Sequence, residues 1–119
     1  MDGVLKALNG NHFIDFTESD TKINSEGALN DILSLCYYHN SNIILLDQNN
    51  LSSDFFNLRT GLAGAAMQKF ANYQAKVAIL LPPKAEKSER FKELMFEMSG
   101  SNHFRFYDHR EAAETWLTT

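Results

Sequence analysis

Two short apolar runs, Ile43-Ile44-Leu45-Leu46 and Val77-Ala78-Ile79-Leu80-Leu81, are not interrupted by polar residues at alternate positions, and this constrains the fold more than any other feature. A strand with one wet face alternates, whereas a strand covered on both faces reads as a continuous apolar stretch. Between the runs, Leu62, Ala63, Ala66, Met67 and Phe70 recur at helical spacing. A strand, a crossover helix and a second buried strand make a parallel pair, which places the chain in the α/β class.

The flanking segments extend this unit. Val4 to Leu8 and Phe13 to Phe16 are apolar stretches on either side of Asn9-Gly10-Asn11, and an Asn-Gly pair readily takes the positive backbone angles of a hairpin turn. Asn24 or Ser25 caps a first helix showing Leu29, Ile32, Leu33 and Cys36 and running to about His39. The central helix is expected from about Thr60 to Asn72-Tyr73. Pro82-Pro83 ends the second buried run, and Ser88, Phe91, Leu94, Met95 and Met98 mark a third helix closed by Ser99-Gly100. Phe104 and Phe106 alternate with His103, Arg105 and Tyr107, as in a strand with a wetter face or near an edge. A short helix carrying Ala112, Ala113, Trp116 and Leu117 follows. The expected architecture is one α/β domain over residues 1–119: a single layer of mostly parallel mixed sheet, about four helices and a leading β-hairpin.

At 119 residues the chain suits one ordinary core that buries roughly two-thirds of the unfolded surface. A formal charge of -4 gives no electrostatic reason to expect nucleic acid or an anionic membrane as partner. No segment approaches the roughly 20 apolar residues of a membrane span, and Met1-Asp2-Gly3-Val4-Leu5-Lys6 has neither a basic leader nor a signal-length apolar run. The single Cys36 cannot form an internal disulfide and falls on an apolar helix face, so a core position in a reducing cytoplasm is expected.

The segment Phe55-Phe56-x-Leu58-x-Thr60-Gly61-Leu62-Ala63-Gly64, continuing through Gln68-Lys69-Phe70-x-Asn72-Tyr73 to Val77-Ala78-Ile79, resembles the bacterial family known as domain of unknown function 4180. The resemblance extends over about Leu29 to Leu81. Beyond it the chain reads Leu81-Pro82-Pro83 where the family has a Gly-Asp-Phe turn, and Glu97-Met98-Ser99 in place of Glu-Ser-Asn-like residues. The family implies no activity. The topology is also similar to the sulphate-transporter and anti-sigma-factor-antagonist (STAS-like) domain, whose small members regulate by binding partner proteins. On that resemblance Leu46-Asp47 ends the strand and Thr60 maps onto the phosphoacceptor, while the preceding Asp and first Ser of that motif are absent.

Two readings follow for the helix start. Thr60 caps free backbone N–H groups, with Gly61 and Gly64 easing helix–sheet packing, or the same groups and the helix dipole hold a phosphate or other anion, with Arg59 as a clamp. Asp47, just past the end of a buried strand, stands where open α/β sheets collect ligands, and equally where a turn carboxylate caps backbone. Asp54-Phe55-Phe56 is expected to staple the helix entry. His12, His39, His103 and His109 have no metal-ligand spacing, and no nucleotide loop is present. Lys84 to Arg90 mixes signs, as a solvated surface does. Met67, Met95 and Met98 keep core spacing, whereas Tyr38 and Phe96 fall off the apolar faces and are candidate anchors for a protein partner or a second copy. No catalytic residue, cofactor or metal is nominated. The favoured expectation is a non-catalytic regulatory or protein-interaction module. The rival is a small-molecule or anion-binding domain, with enzymatic capacity left open, at Thr60-Gly61 and Asp47.

Overall fold

The computed structural model describes residues 3–119; Met1 and Asp2, the start of the segment read for a leader, lie outside the described residues. Strands β1 (Val4–Leu8) and β2 (Asn11–Asp15) pair antiparallel. Asn9 and Gly10 both take positive φ, 54° and 81°, as a two-residue turn matched to strand twist requires. Helix α1 (Glu26–His39) starts where the Ser25 hydroxyl accepts the Ala28 N–H, and it stops at Asn40 in the left-handed conformation. Then come β3 (Ile43–Asp47), α2 (Ser53–Phe56), α3 (Leu62–Asn72), β4 (Lys76–Leu80), α4 (Glu89–Glu97), β5 (Phe104–Tyr107) and α5 (Arg110–Leu117). The strands lie in the order β1-β2-β3-β4-β5, with β2 to β5 parallel.

The α/β class, the leading hairpin and the mostly parallel mixed sheet therefore stand, with one helix more than expected. Asp54-Phe55-Phe56 lies in a single helical turn of its own, α2, and Phe55 is fully buried. Helix α3 begins at Leu62 and not near Thr60. Residues 58–60 form a tight 3-10 turn, and Gly61 at φ 77° turns the chain before the helix can start. The alternating strand at Phe104 is β5, at the sheet edge.

Side chains on the two faces of the sheet build two cores. Ile14, Ile44, Leu46, Val77, Ile79 and Phe104 point to one side, where α1, α2, α3 and α4 contribute Leu29, Ile32, Phe55, Ala63, Ala66, Phe70 and Phe91. Phe13, Leu45 and Ala78 point to the other, covered by Ala113 and Leu117 of α5. Trp116 closes the second core near β5, with Lys76 and Arg105 4.8 and 4.7 Å from its ring and Tyr107 beside it. Because the strand order never reverses among β2 to β5, the three crossover helices α1, α3 and α4 share one face. No crevice opens between oppositely wound halves, the usual ligand position in open α/β sheets.

Candidate functional site

The carboxyl ends of β2 and β3 bring two carboxylates to the α5 face. Asp15 pairs in register with Leu45, so Asp15 and Asp47 stand on the same side of neighbouring strands. Asp15 is buried among polar partners: the Thr17 N–H and hydroxyl donate to one carboxylate oxygen at 2.8 and 2.6 Å. The Lys6 ammonium at 2.7 Å and the Arg110 guanidinium reach the other. Arg110 also donates to the Thr17 hydroxyl at 3.1 Å and to Glu114 at 2.9 Å. Burial alone pushes the Asp15 carboxyl up, but the hydrogen bonds from Lys6, Thr17 and Arg110 outweigh it and hold the group at about 2. The cluster ties the hairpin to the last helix.

Asp47 has a local job. Its carboxylate accepts the Asn49 N–H at 2.9 Å, while its own N–H donates to the Asn50 side-chain oxygen at 2.9 Å, a reciprocal cap on the turn after β3. Burial raises its pKa against the pull of the Asn49 and Asn50 backbone. Asn50 is fully buried and reaches further: its amide donates to Phe16 O at 3.0 Å and Thr21 O at 2.8 Å. Backbone bonds from Ile23 to Asn50 O and from Ser52 to Ile23 O stitch the same two loops.

At the α3 start the Thr60 hydroxyl donates toward Asp54 O (2.6 Å) and Asn57 O (2.9 Å) and accepts the Leu62 N–H at 3.2 Å. It closes the 3-10 turn and occupies one free N–H of the helix. The depression beside it, about 230 Å³, is lined by Thr60, Gly61, Glu26 and Asp54 among others, and two carboxylates make a poor setting for an anion. Gly61 and Gly64 do not serve close packing: both are exposed, and a Cβ at either meets nothing within 4 Å. Gly61 is explained by its positive φ. Arg59 is exposed and lies away from that depression, lining a groove with Phe56, Leu58 and Arg90.

The aromatic candidates lie at the other edge. Helices α1, α3 and α4 cross back from one parallel strand to the next, so α1 and α3 end beside the amino ends of β3 and β4. Tyr37 and Tyr38 at the end of α1 are 90% and 79% exposed, and Tyr73 at the end of α3 is 62% exposed. Tyr37 and Tyr73 line an open groove of about 740 Å³ with Leu33, Cys36 and Asn42. Phe96, on α4, is 81% exposed. Cys36 is buried at the groove floor, and burial pushes its thiol up to about 11. Met67, Met95 and Met98 pack partly buried against the main core.

Sequence reasoning passed over Asp15, Lys6, Arg110 and Asn50. Asp15 carried a signal, since a lone carboxylate inside Phe13-Ile14-Asp15-Phe16 must be partnered if that run is buried. Arg110 carried none, being distant in sequence. Among the described residues no group of three or more His, Cys, Asp or Glu is arranged to hold a metal ion, and no helix is long and apolar enough to cross a membrane.

The model of the family described as Domain of unknown function (DUF4180) matches residues 8–117, from the end of β1 to the end of α5. No curated protein and no solved structure matches the chain.

Proposed function

Since the chain belongs to the DUF4180 family, a premise that brings no chemistry, we propose from its own surface that it is a non-catalytic regulatory module that docks on a partner protein or a second copy of itself, in the cytoplasm. The observation that carries this reading is the set of exposed tyrosines, Tyr37, Tyr38 and Tyr73, at one edge of the molecule. Large aromatics are the residue type that most often anchors an interface, because a ring buries much area at a small entropic cost and a phenol tolerates both water and contact. Phe96 adds a fully apolar anchor on α4.

The polar groups at the opposite edge support the same reading. Asp15, Asp47, Asn50 and Thr60 are engaged by backbone and by one another. Native mass spectrometry and sedimentation velocity on protein purified from its own host test the proposal. The expected result is a dimer or a stoichiometric protein complex that is lost when Tyr37, Tyr38 and Tyr73 are changed to Ser and weakened by Phe96→Ala. A monomer without a protein partner, or a complex indifferent to all four substitutions, refutes it.

A further inference from the structure

We propose that the groove between α2 and the amino end of α4 is a binding site for a small organic anion, one with an apolar body and a carboxylate or phosphate head. The groove has a volume of about 500 Å³, within the range of roughly 300–1,000 Å³ usual for small-molecule sites. Its apolar floor is Phe56 and Leu58, half-buried and packed on the main core. Phe56 is held against Phe91 at 5.1 Å and against Phe55 at 6.2 Å between ring centroids, so the floor is preformed.

The charge comes from the arginines. The chain has four, and two are spent structurally. Arg105 donates to Ser101 O at 2.6 Å and lies over Trp116, and Arg110 holds Asp15 and Glu114. The guanidinium groups of Arg59 and Arg90 have no hydrogen-bond, ion-pair or ring partner among the described residues, and these two residues line the same groove. In a protein of net charge -4, two arginines without a side-chain partner line one groove together with the apolar Phe56 and Leu58. A guanidinium fork matches the two oxygens of a carboxylate or phosphate. Glu89 also borders the groove, but its carboxylate is engaged by Lys92 at 3.3 Å. Ser53 and Ser88 supply hydroxyls at the rim; that of Ser88 already accepts the Phe91 N–H at 3.1 Å. The site lies apart from Tyr37 and Tyr73, so it stands or falls independently of the partner reading.

The test is an amide chemical-shift titration of the full chain with 2-naphthoate, 1-naphthyl phosphate and inorganic phosphate. Saturable shifts are expected at Asn57, Arg59, Arg90 and Phe91 with both naphthyl probes, and inorganic phosphate should bind at least about tenfold more weakly because it leaves the floor uncovered. Arg59→Gln with Arg90→Gln should weaken the naphthyl probes by about tenfold or more, as loss of charge-assisted hydrogen bonds does. The melting temperature should stay unchanged, since both side chains are free in the fold. Shifts that do not saturate, shifts centred on Tyr37 and Tyr73, or equal affinity in the double variant overturn the site. Equal affinity for inorganic phosphate overturns the apolar part of the ligand.

Discussion

Replacing Asp15 with Asn tests whether the hairpin and the last helix are held together by a charge. The side chain of Asp15 is 2% exposed, while those of Lys6 and Arg110 are 37% and 40% exposed. The carboxylate is therefore enclosed, whereas its two cations can recover water once it is gone. Breaking a buried ion pair costs about 3–5 kcal/mol. With both cations partly solvated the expectation falls to about 2–3 kcal/mol, because the Asn amide oxygen retains both bonds from Thr17 while its NH2 group faces the two cations. For a chain of 119 residues a loss of 1 kcal/mol lowers Tm by about 4 °C, so the variant should melt about 8–12 °C below the parent.

The pH dependence adds a second, independent test. The carboxyl titrates near 3.8 when free and at about 2 when folded. The folded value is the lower one, so the stabilisation is fully present above pH 4 and is lost as pH falls through about 2. The full shift is worth about 2.4 kcal/mol; solvent around Lys6 and Arg110 reduces the effective figure to about 1–2 kcal/mol. Urea melts of parent and Asp15→Asn at pH 7, 4 and 2 should show a gap that narrows by that amount between the last two. A gap below about 0.5 kcal/mol at pH 7 would refute the ion-pair account. So would a gap that is the same at all three pH values.

Other perturbations separate the remaining structural roles. Gly61→Val should cost about 1–3 kcal/mol because φ there is 77°, whereas Gly64→Ala, in an exposed helical position with open space around it, should stabilise by about 0.5–1 kcal/mol; denaturant melts of the pair should move in opposite directions. Asn50→Ala should cost about 2–4 kcal/mol by removing the side-chain bonds to Phe16 O, Thr21 O and the Asp47 N–H from a buried site, read by the same melts and by faster amide exchange across residues 17–25. Cys36 should resist a thiol reagent at pH 8 in the folded protein and react on unfolding, since burial holds it at about 11; rapid native labelling would mean that the Tyr37–Tyr73 groove opens to its floor.

Much of the architecture was legible because it rests on local rules. The runs at Ile43 and Val77 predicted strands buried on both faces, and both strands lie between α3 and α5 layers. Asn9-Gly10, Ser25 and Ser88 act at the turn and caps where the residue type called for them. The start of α3 was misread for a physical reason. Helical periodicity continues through Thr60, but periodicity does not report φ, and Gly61 takes the left-handed conformation that separates the 3-10 turn from the helix. The same gap hid α2, since four residues are too few for a period to show. At the candidate sites, the exposure of Tyr38 and Phe96 followed from their position off the apolar helix faces. The groove that Tyr37 shares with Tyr73 joins the ends of two different helices and needed the fold. So did the partnership of Arg59 with Arg90, which depends on where α4 begins relative to α2.

The distribution of polar groups bears on where this fold can act. In an open parallel sheet the carboxyl edge is the usual place for chemistry because side chains at strand ends are rigidly held and free to face a ligand. Here they are rigidly held and not free: Asp15 clamps α5, Asp47 caps a turn, Asn50 joins two loops, and Thr60 closes the entry to α3. Stability and the strand-end edge thus draw on the same residues, and a substitution there disturbs both. Tyr37, Tyr38, Tyr73, Phe96, Arg59 and Arg90 are exposed instead, and none of these side chains takes part in the polar latches. Function read from these surfaces should therefore separate cleanly from stability: variants at the tyrosines or at the two arginines should melt with the parent while losing their partner or ligand. Variants at Asp15 or Asn50 should lose stability first, and binding only as the folded fraction falls.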